Sequence, residues 1–513
     1  MSQSGDYLIG VDIGTSGSTG IIIDTALNVI ESVSTEHEVS VPRPGWAEHD
    51  ADEVWWHDVT EITNRLFECS TVSPDDIAGI GISALHAAMV PVDDDGTPLR
   101  PAILYGVDTR SGEEIELLNE QIGAERIYET CGNALTFQSV GPKIHWYRRN
   151  EPNRFAQTET ILDATGYVVS KLTGECTMDN AIAAFFHPLY DLSELTWSDE
   201  MLAEMDLSRD RFPEPQWSTE IAGTVTAAAA AETGLAEGTP VIVGTGDALA
   251  SQISVGAVDP GDSIFMYGTT GVIYTTLAQP RSTPELWSFP HCLEGQYTIA
   301  GGMATSGAIV RWFKEEFGGD AVIGEGTGKE SYDRLNERAG ELAPGSDGLV
   351  VLPYFSGERT PINDDAARGT VVGLTLSHSK YHVYRAILES IGYGFRHHLE
   401  TMKGAEVPID RVLAIGGGAQ SDLWRQIVSD VTGVTQRYVA NPIGSPLGGA
   451  YLAGLGTDVF DSLGPLREST TIKRTTEPDP EAMATYEEYY QIYRDLYPSV
   501  KEEMHRLSAL GSE

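Results

Sequence analysis

The sequence predicts an α/β protein of two similar domains, and three observations carry that reading. Residues 7–24, YLIGVDIGTSGSTGIIID, set two apolar β-forming runs on either side of a tip of glycine, serine and threonine. Residues 263–277, SIFMYGTTGVIYTTL, repeat that arrangement, and a repeat at a spacing of about 250 residues implies two domains that each present a hairpin to a shared cleft. The chain of 513 residues is also too long for one core, so that two domains of about 250 residues are its natural division.

The first tip is built for an anion. Gly14 and Gly17 let backbone N–H groups approach a ligand closely, and Thr15, Ser16 and Ser18 add hydroxyl donors without bulk. Asp12 would repel a bare phosphate, so its place at the end of the first run makes sense if it faces Mg2+ or a water on the metal. The stretch has no P-loop lysine and is not a GxGxxG dinucleotide turn. A third run, 29–35, extends the antiparallel sheet, and Pro42, Pro44 and Gly45 then break the pattern. Residues 48–69 place Val54, Trp55, Val59, Ile62 and Leu66 at helical spacing behind a run of acids, which predicts a helix. Residues 77–83 and 103–105 read as short buried strands. Each runs into a polar loop, with His86 on the first and Asp108 and Arg110 on the second, which predicts ligand contacts gathered at the carboxyl edge of a sheet. Residues 112–171 read as mainly helical. A strand at 241–244 enters GTGDALA, where Asp247 follows a tight glycine turn, and the turn cluster at 259–262 marks a domain joint.

In the second half the tip Gly268, Thr269, Thr270 and Gly271 is again small and hydroxylated but has no acid equivalent to Asp12. Residues 301–317 read as a loop feeding a helix, 352–369 as a long polar segment and 381–402 as an amphipathic helix. A strand at 412–415 leads into GGGAQSDLWRQIVSDVTG, where Gly416, Gly417 and Gly418 let the backbone lie flat against a planar or phosphorylated ligand. Residues 444–456 predict a small-residue helix that packs closely, and 479–510 a peripheral acidic helix.

Charge is the unusual feature of the composition. Acidic residues number 76 against 33 basic ones, for a formal net charge of −43, and only eight of the basic residues are lysine. The excess is spread along the whole chain, so it reads as a solvated surface property. An acidic skin poor in lysine predicts a salt-loaded cytoplasm, where at molar salt the Debye length falls to about 3 Å and self-repulsion is screened. The same charge argues against nucleic acid and anionic membranes as partners. Cys69, Cys131, Cys176 and Cys292 are far apart and form no CxxC pair, so reduced thiols are expected. No signal peptide is evident and no run approaches the ~18 apolar residues of a membrane span. The expected location is the cytoplasm.

With DIGTSGST, GTGDALA, MYGTTG, SGERTP and GGGAQSDLWRQIVSDVTG in that order, the chain resembles the FGGY family of carbohydrate kinases over roughly residues 7–456. The resemblance implies two actin-like, ribonuclease-H-like domains, at 7–255 and 262–456, with a helical extension at 457–513. They would close on Mg-ATP and a sugar or polyol. It implies that Asp247 is the catalytic base and a substrate contact, that Asp12 holds Mg2+ through water, and that Gly14, Thr15, Ser16, Gly268, Thr269 and Thr270 contact phosphate. Gly416, Gly417 and Gly418 would flank the adenosine. On the sugar side it implies Leu85 and His86, at a position where xylulokinases of the family commonly show Met-His, and Asp108, which could take a pair of sugar hydroxyls or pair instead with Arg110. Glycerol kinases carry an Arg-Glu pair where this chain has Ala-Leu-His-Ala, so a neutral ketopentose, D-xylulose first, is the expected substrate. Ribulose, rhamnulose or fuculose, gluconate and glycerol are the alternatives, and an actin-like or chaperone ATPase and a polyphosphatase-like hydrolase are the competing classes. The expected partners are the sugar and ATP; a homodimer is left open.

Overall fold

The computed structural model describes residues 5–317, 328–439 and 443–511. Two seven-stranded mixed sheets dominate it, and they repeat one topology. In the first, β1 (Tyr7–Ile13), β2 (Gly17–Asp24) and β3 (Val29–Glu36) form an antiparallel meander. Helix α1 (His57–Cys69) covers it. Next, β4 (Ile77–Ala84) pairs parallel to the far side of β1, β5 (Ile221–Thr224) forms the edge, β6 (Pro240–Ile242) and the short β7 (Thr245–Gly246) pair parallel to β4, and α2 (Asp247–Ser254) follows directly.

The second sheet begins with the predicted second hairpin, β8 (Asp262–Tyr267) and β9 (Gly271–Leu277), and adds β10 (Trp287–Pro290) and β11 (Tyr297–Met303) beyond β9. The long helix α4 (Lys380–Gly404) packs on it, and α3 (Gly307–Phe317) packs against α4. On the other side of β8 lies β12 (Arg411–Ile415), parallel as β4 is to β1. Helix α5 (Asp422–Thr432), β13 (Gln436–Val439), α6 (Ser445–Gly456), β14 (Ile472–Thr476) and α7 (Pro480–Leu510) complete the chain.

The alternation of a strand explains how the first sheet is buried and how it presents its site. Ile9, Val11 and Ile13 enter one core with Trp55, Ile62 and Val168, whereas Leu8 faces the other side of the sheet. Gly10 and Asp12 share the face of Leu8, and on that face runs α6. A Cβ on Gly10 would stand 1.9 Å from the Pro446 carbonyl, and one on Gly81 of β4 2.0 Å from that of Gly449, so backbone meets backbone only because both residues are glycine. The predicted small-residue helix is therefore the element wedged against the first sheet. Its Leu447, Ala450 and Leu452 share a single core with Leu8 of the first sheet and with Ile264 and Leu413 of the second.

Several elements differ from expectation. Glu48 is in a two-residue strand paired with Ile103, and the helix starts only after Asp50, whose side chain accepts from the amides of Asp52 and Glu53. Residues 301–303 end a strand instead of forming a loop. Helix α7 is not peripheral: Tyr486, Tyr490, Tyr493 and Met504 are buried in the second core. Its charged faces hid a tyrosine stripe at helical spacing. All four cysteines are unpaired, and among the described residues no helix is long and apolar enough to cross a membrane.

Candidate active site

The carboxyl ends of β1, β4 and β7 converge, and register does the assembly. Asp12 is paired with Ser83 across β1 and β4, and Thr245 with Ser83 across β7 and β4. Ser83 Oγ donates to Asp12 Oδ1 at 2.6 Å. Burial, then the neighbouring Asp247 carboxylate, pushes Asp12 up to about 8, against the Ser83 and Ser445 hydroxyls, which favour the charged form. Two carboxylates that repel each other are suited to a cation. Among the described residues no cluster of three acids, histidines or cysteines could cage a metal alone.

Asp247 opens α2, with its side chain 37% exposed. One oxygen, Oδ1, accepts from the Ala248 amide at 2.7 Å and faces His86 Nδ1 at 3.0 Å. Oδ2 has no partner among the described residues, which leaves it available as a proton acceptor on a partly exposed side chain. The backbone of Asp247 is tied to the second half of the chain, because Ser445 Oγ donates to its carbonyl at 3.0 Å and meets Ser251 Oγ at 2.8 Å. Gly246 lets His86 lie close, since a Cβ there would come within 2.3 Å of the ring.

The first tip is tight. Gly14 N donates to Gly17 O at 3.0 Å, and His37 braces the turn from behind, with Nε2 3.1 Å from Gly14 O and Nδ1 2.7 Å from Asp58, which also accepts from Ser18. Thr15 Oγ1 meets the Tyr105 hydroxyl at 2.8 Å, while Ser16 is exposed. At the second tip Gly268 N donates to Thr270 O, and the amides of Ser306, Gly307 and Ala308 donate to the Thr269 and Gly268 carbonyls, which seats the start of α3 against the turn.

Gly268 and Thr269 line a cavity of about 830 Å³ with Gly417, Gly418, Arg311, Tyr332 and Asn336. Next to these, Gly416 has φ +93° and a Cβ on it would stand 2.8 Å from the Tyr267 carbonyl, while one on Gly418 would strike the Trp424 ring at 2.4 Å. The size and the planar, glycine-lined wall suit a nucleoside.

Two sugar-side expectations require correction. Leu85 is wholly buried in the first core and its amide donates to Ile13 O at 2.8 Å, so of the Leu85-His86 pair only His86 reaches the cleft. Asp108 is also wholly buried, and its two oxygens already accept from four donors: Ala47 N, Arg110 N, Arg110 Nε and Arg110 Nη2. A carboxylate offers about four lone-pair sites, so Asp108 has none left for a sugar. Arg110 is equally buried, bonds Glu48 and lies 3.9 Å over the Trp46 ring. Replacement therefore acts on stability: Asp108→Asn is expected to cost on the order of 3 kcal/mol in denaturant unfolding, as breaking a buried ion pair does, and to leave the sugar KM of folded enzyme unchanged.

Sequence reasoning missed Ser83, Ser445 and the His37-Asp58 brace, each of which acts through a partner remote in the chain.

Repeated lobes whose first hairpins end in donor-rich tips define the actin-like, ribonuclease-H-like class of nucleotide-dependent enzymes. Within it the chain belongs to the FGGY family of carbohydrate kinases: the family's N-terminal domain matches residues 7–254 and its C-terminal domain residues 264–457. Among its relatives, the xylulose kinase of Escherichia coli (strain K12) is 31% identical over 493 residues, covering 95% of this chain and 98% of the relative. The gluconokinase of Bacillus subtilis (strain 168) is 28% identical, covering 90% and 91%. The crystal structure of xylulose kinase from Rhodospirillum rubrum superposes with a TM-score of 0.88 at 31% identity, over 97% of this chain and 100% of that one.

Proposed function

We propose that the protein transfers the γ-phosphoryl group of Mg-ATP to a hydroxyl of a ketopentose, D-xylulose first. The observation that carries this is Asp247, held by one oxygen and open by the other. In this reading the domain at 7–255 holds the sugar, the domain at 262–456 holds the nucleotide in the glycine-lined cavity, and 457–513 extends the second.

With Oδ1 fixed by Ala248 and His86, Asp247 presents Oδ2 to the sugar hydroxyl and takes its proton as the oxygen attacks. His86 Nε2, which has no partner among the described residues, would meet a second hydroxyl and set which one reacts. Thr15, Ser16, Thr269 and Thr270 supply amide and hydroxyl donors that align the phosphates, with Gly14 and Gly268 shaping the two turns, and positioning and electrostatics do most of the catalysis. Asp12, oriented by Ser83, would hold a water of the Mg2+, and the cation would neutralise charge on the phosphate oxygens.

A sugar acid is the second reading. It is supported by the gluconokinase relative and by Arg359, a second-lobe guanidinium that reaches Tyr105 of the first lobe. A panel of ketoses, polyols and gluconate, assayed with Mg-ATP at molar KCl, decides. The expected outcome is a kcat/KM highest for D-xylulose; a higher value for gluconate would overturn the substrate assignment.

A cytoplasm rich in salt is the proposed setting, supported by the net charge of −43. The melting temperature is then expected to rise as KCl is raised from dilute to molar concentration. A value independent of KCl would contradict it.

A further inference from the structure

Neither phosphate tip brings a cation of its own: residues 14–18 and 268–271 contain no lysine or arginine. Phosphoryl transfer nonetheless spreads negative charge over the equatorial oxygens of the moving group, and enzymes commonly meet it with a guanidinium. Arg359, in the SGERTP segment of the second lobe, is presented as such a group would be. Its two neighbours in sequence are buried and clamp the backbone on either side. Glu358 Oε1 accepts from the Ala304 amide at 2.7 Å, and Thr360 Oγ1 accepts from the Gly302 amide at 2.6 Å and meets His398 Nε2 at 2.9 Å. The residue between them is therefore fixed to β11 and α4.

The side chain crosses to the other lobe. Its guanidinium carbon lies 6.0 Å from the centre of the Tyr105 ring, whose hydroxyl bonds Thr15 of the first tip. Its charge also acts on the same two phenols as Asp247. Burial raises both Tyr105 and Tyr274, Asp247 adds to each rise, and Arg359 opposes it. Arg359 thus stands near the first tip and the base together. It is half-buried, yet its guanidinium has no acceptor or ion-pair partner among the described residues. Burial pushes Glu358 up to about 8, so the adjacent acid offers little compensating charge. A half-buried cation without a partner among the described residues is suited to an anion.

We propose that Arg359 is a catalytic residue that binds the oxygens of the transferring phosphoryl group, supplying from the second lobe the positive charge that both tips lack. The proposal rests on the kinase reading above. In the step it serves, the sugar oxygen bonds to the γ-phosphorus and the bond from that phosphorus to the β,γ-bridging oxygen breaks. The bonding pair leaves with ADP, and the hydroxyl proton passes to Asp247.

The test compares wild type, Arg359→Gln and Arg359→Lys as full-length chains at molar KCl. Arg359→Gln is expected to lose on the order of 10³-fold in kcat, the low end for an arginine serving transferred phosphate. Its sugar KM and melting temperature should stay at wild-type values, and Arg359→Lys should fall between. A second readout needs no turnover: with the preferred sugar and ADP present, aluminium fluoride should raise the melting temperature of wild type but not of Arg359→Gln. Retained kcat, a retained aluminium fluoride increment, or a loss confined to the KM of the sugar or of gluconate would overturn the proposal. If wild type itself releases ADP without sugar, the kinase reading fails and this proposal with it. If wild type needs the sugar and Arg359→Gln is unimpaired, this proposal alone fails.

Discussion

Asp247→Asn is expected to lower kcat by about 10²–10⁴-fold, the range that a positioned general base contributes, while the affinity for ATP stays at the wild-type value. Asparagine is the informative replacement because its carbonyl oxygen can still accept from Ala248 and face His86, the two groups that hold Oδ1. Only the proton acceptor is removed. The nucleotide cavity is lined from the second half of the chain and does not include residue 247, so ATP binding should be insensitive. One side effect has a definite sign. Asp247 is, after burial, a cause of the rise at Asp12, so Asp12 should titrate at lower pH in the variant. Steady-state kinetics with nucleotide titration check the first two points. Wild-type kcat in Asp247→Asn would remove the base from the mechanism.

Asp12→Asn is expected to cost on the order of 10³-fold in kcat, corresponding to the several kcal/mol that a correctly placed metal contributes to phosphoryl transfer. The asparagine keeps an acceptor for Ser83, so the fold should survive, but a neutral amide orients the metal's water poorly. The distinguishing measurement is kcat against Mg2+ concentration. Its midpoint should move to higher Mg2+ in the variant and stay put in Asp108→Asn, where the lost charge is structural. An unmoved midpoint in Asp12→Asn would separate Asp12 from the metal.

These two residues also show how far the sequence reaches. Both hairpins were legible because each is local: apolar runs of period two flank a tip whose residues are small and polar. Asp12 was legible because it ends such a run, and Asp247 because a glycine turn after a strand sets it in a motif the family shares. Their partners were not. Ser83 reaches Asp12 through the register of two strands separated by some 70 residues of chain, 71 by position, and Ser445 reaches Asp247 from 198 residues away. Nothing in either local stretch encodes those distances. Asp108 shows the opposite limit. Its spacing to Arg110 allowed two readings, and only the positions of Ala47 and Trp46, which fill its last lone pair and cover its arginine, select the ion pair. Helix α7 was misjudged for a related reason, since its many charges masked tyrosines that one face buries.

Arg359 falls between these cases. Its segment was recognisable as a motif, but a polar stretch gives no direction. The clamp formed by Glu358 and Thr360, and the approach to Tyr105 from the opposite lobe, are properties of the packed molecule. The same holds for the close contact of α6 with Gly10 and Gly81, where a small-residue run predicted tight packing without naming the surface packed against.

The central claim is that a sugar hydroxyl, stripped of its proton by Asp247, receives the phosphoryl group in place of water. Phosphorus NMR of wild type with Mg-ATP and D-xylulose at molar KCl addresses it directly. One new phosphomonoester for each ADP formed, and almost no ADP when the sugar is left out, is the predicted spectrum. Inorganic phosphate accumulating at the same rate with or without the sugar would contradict it.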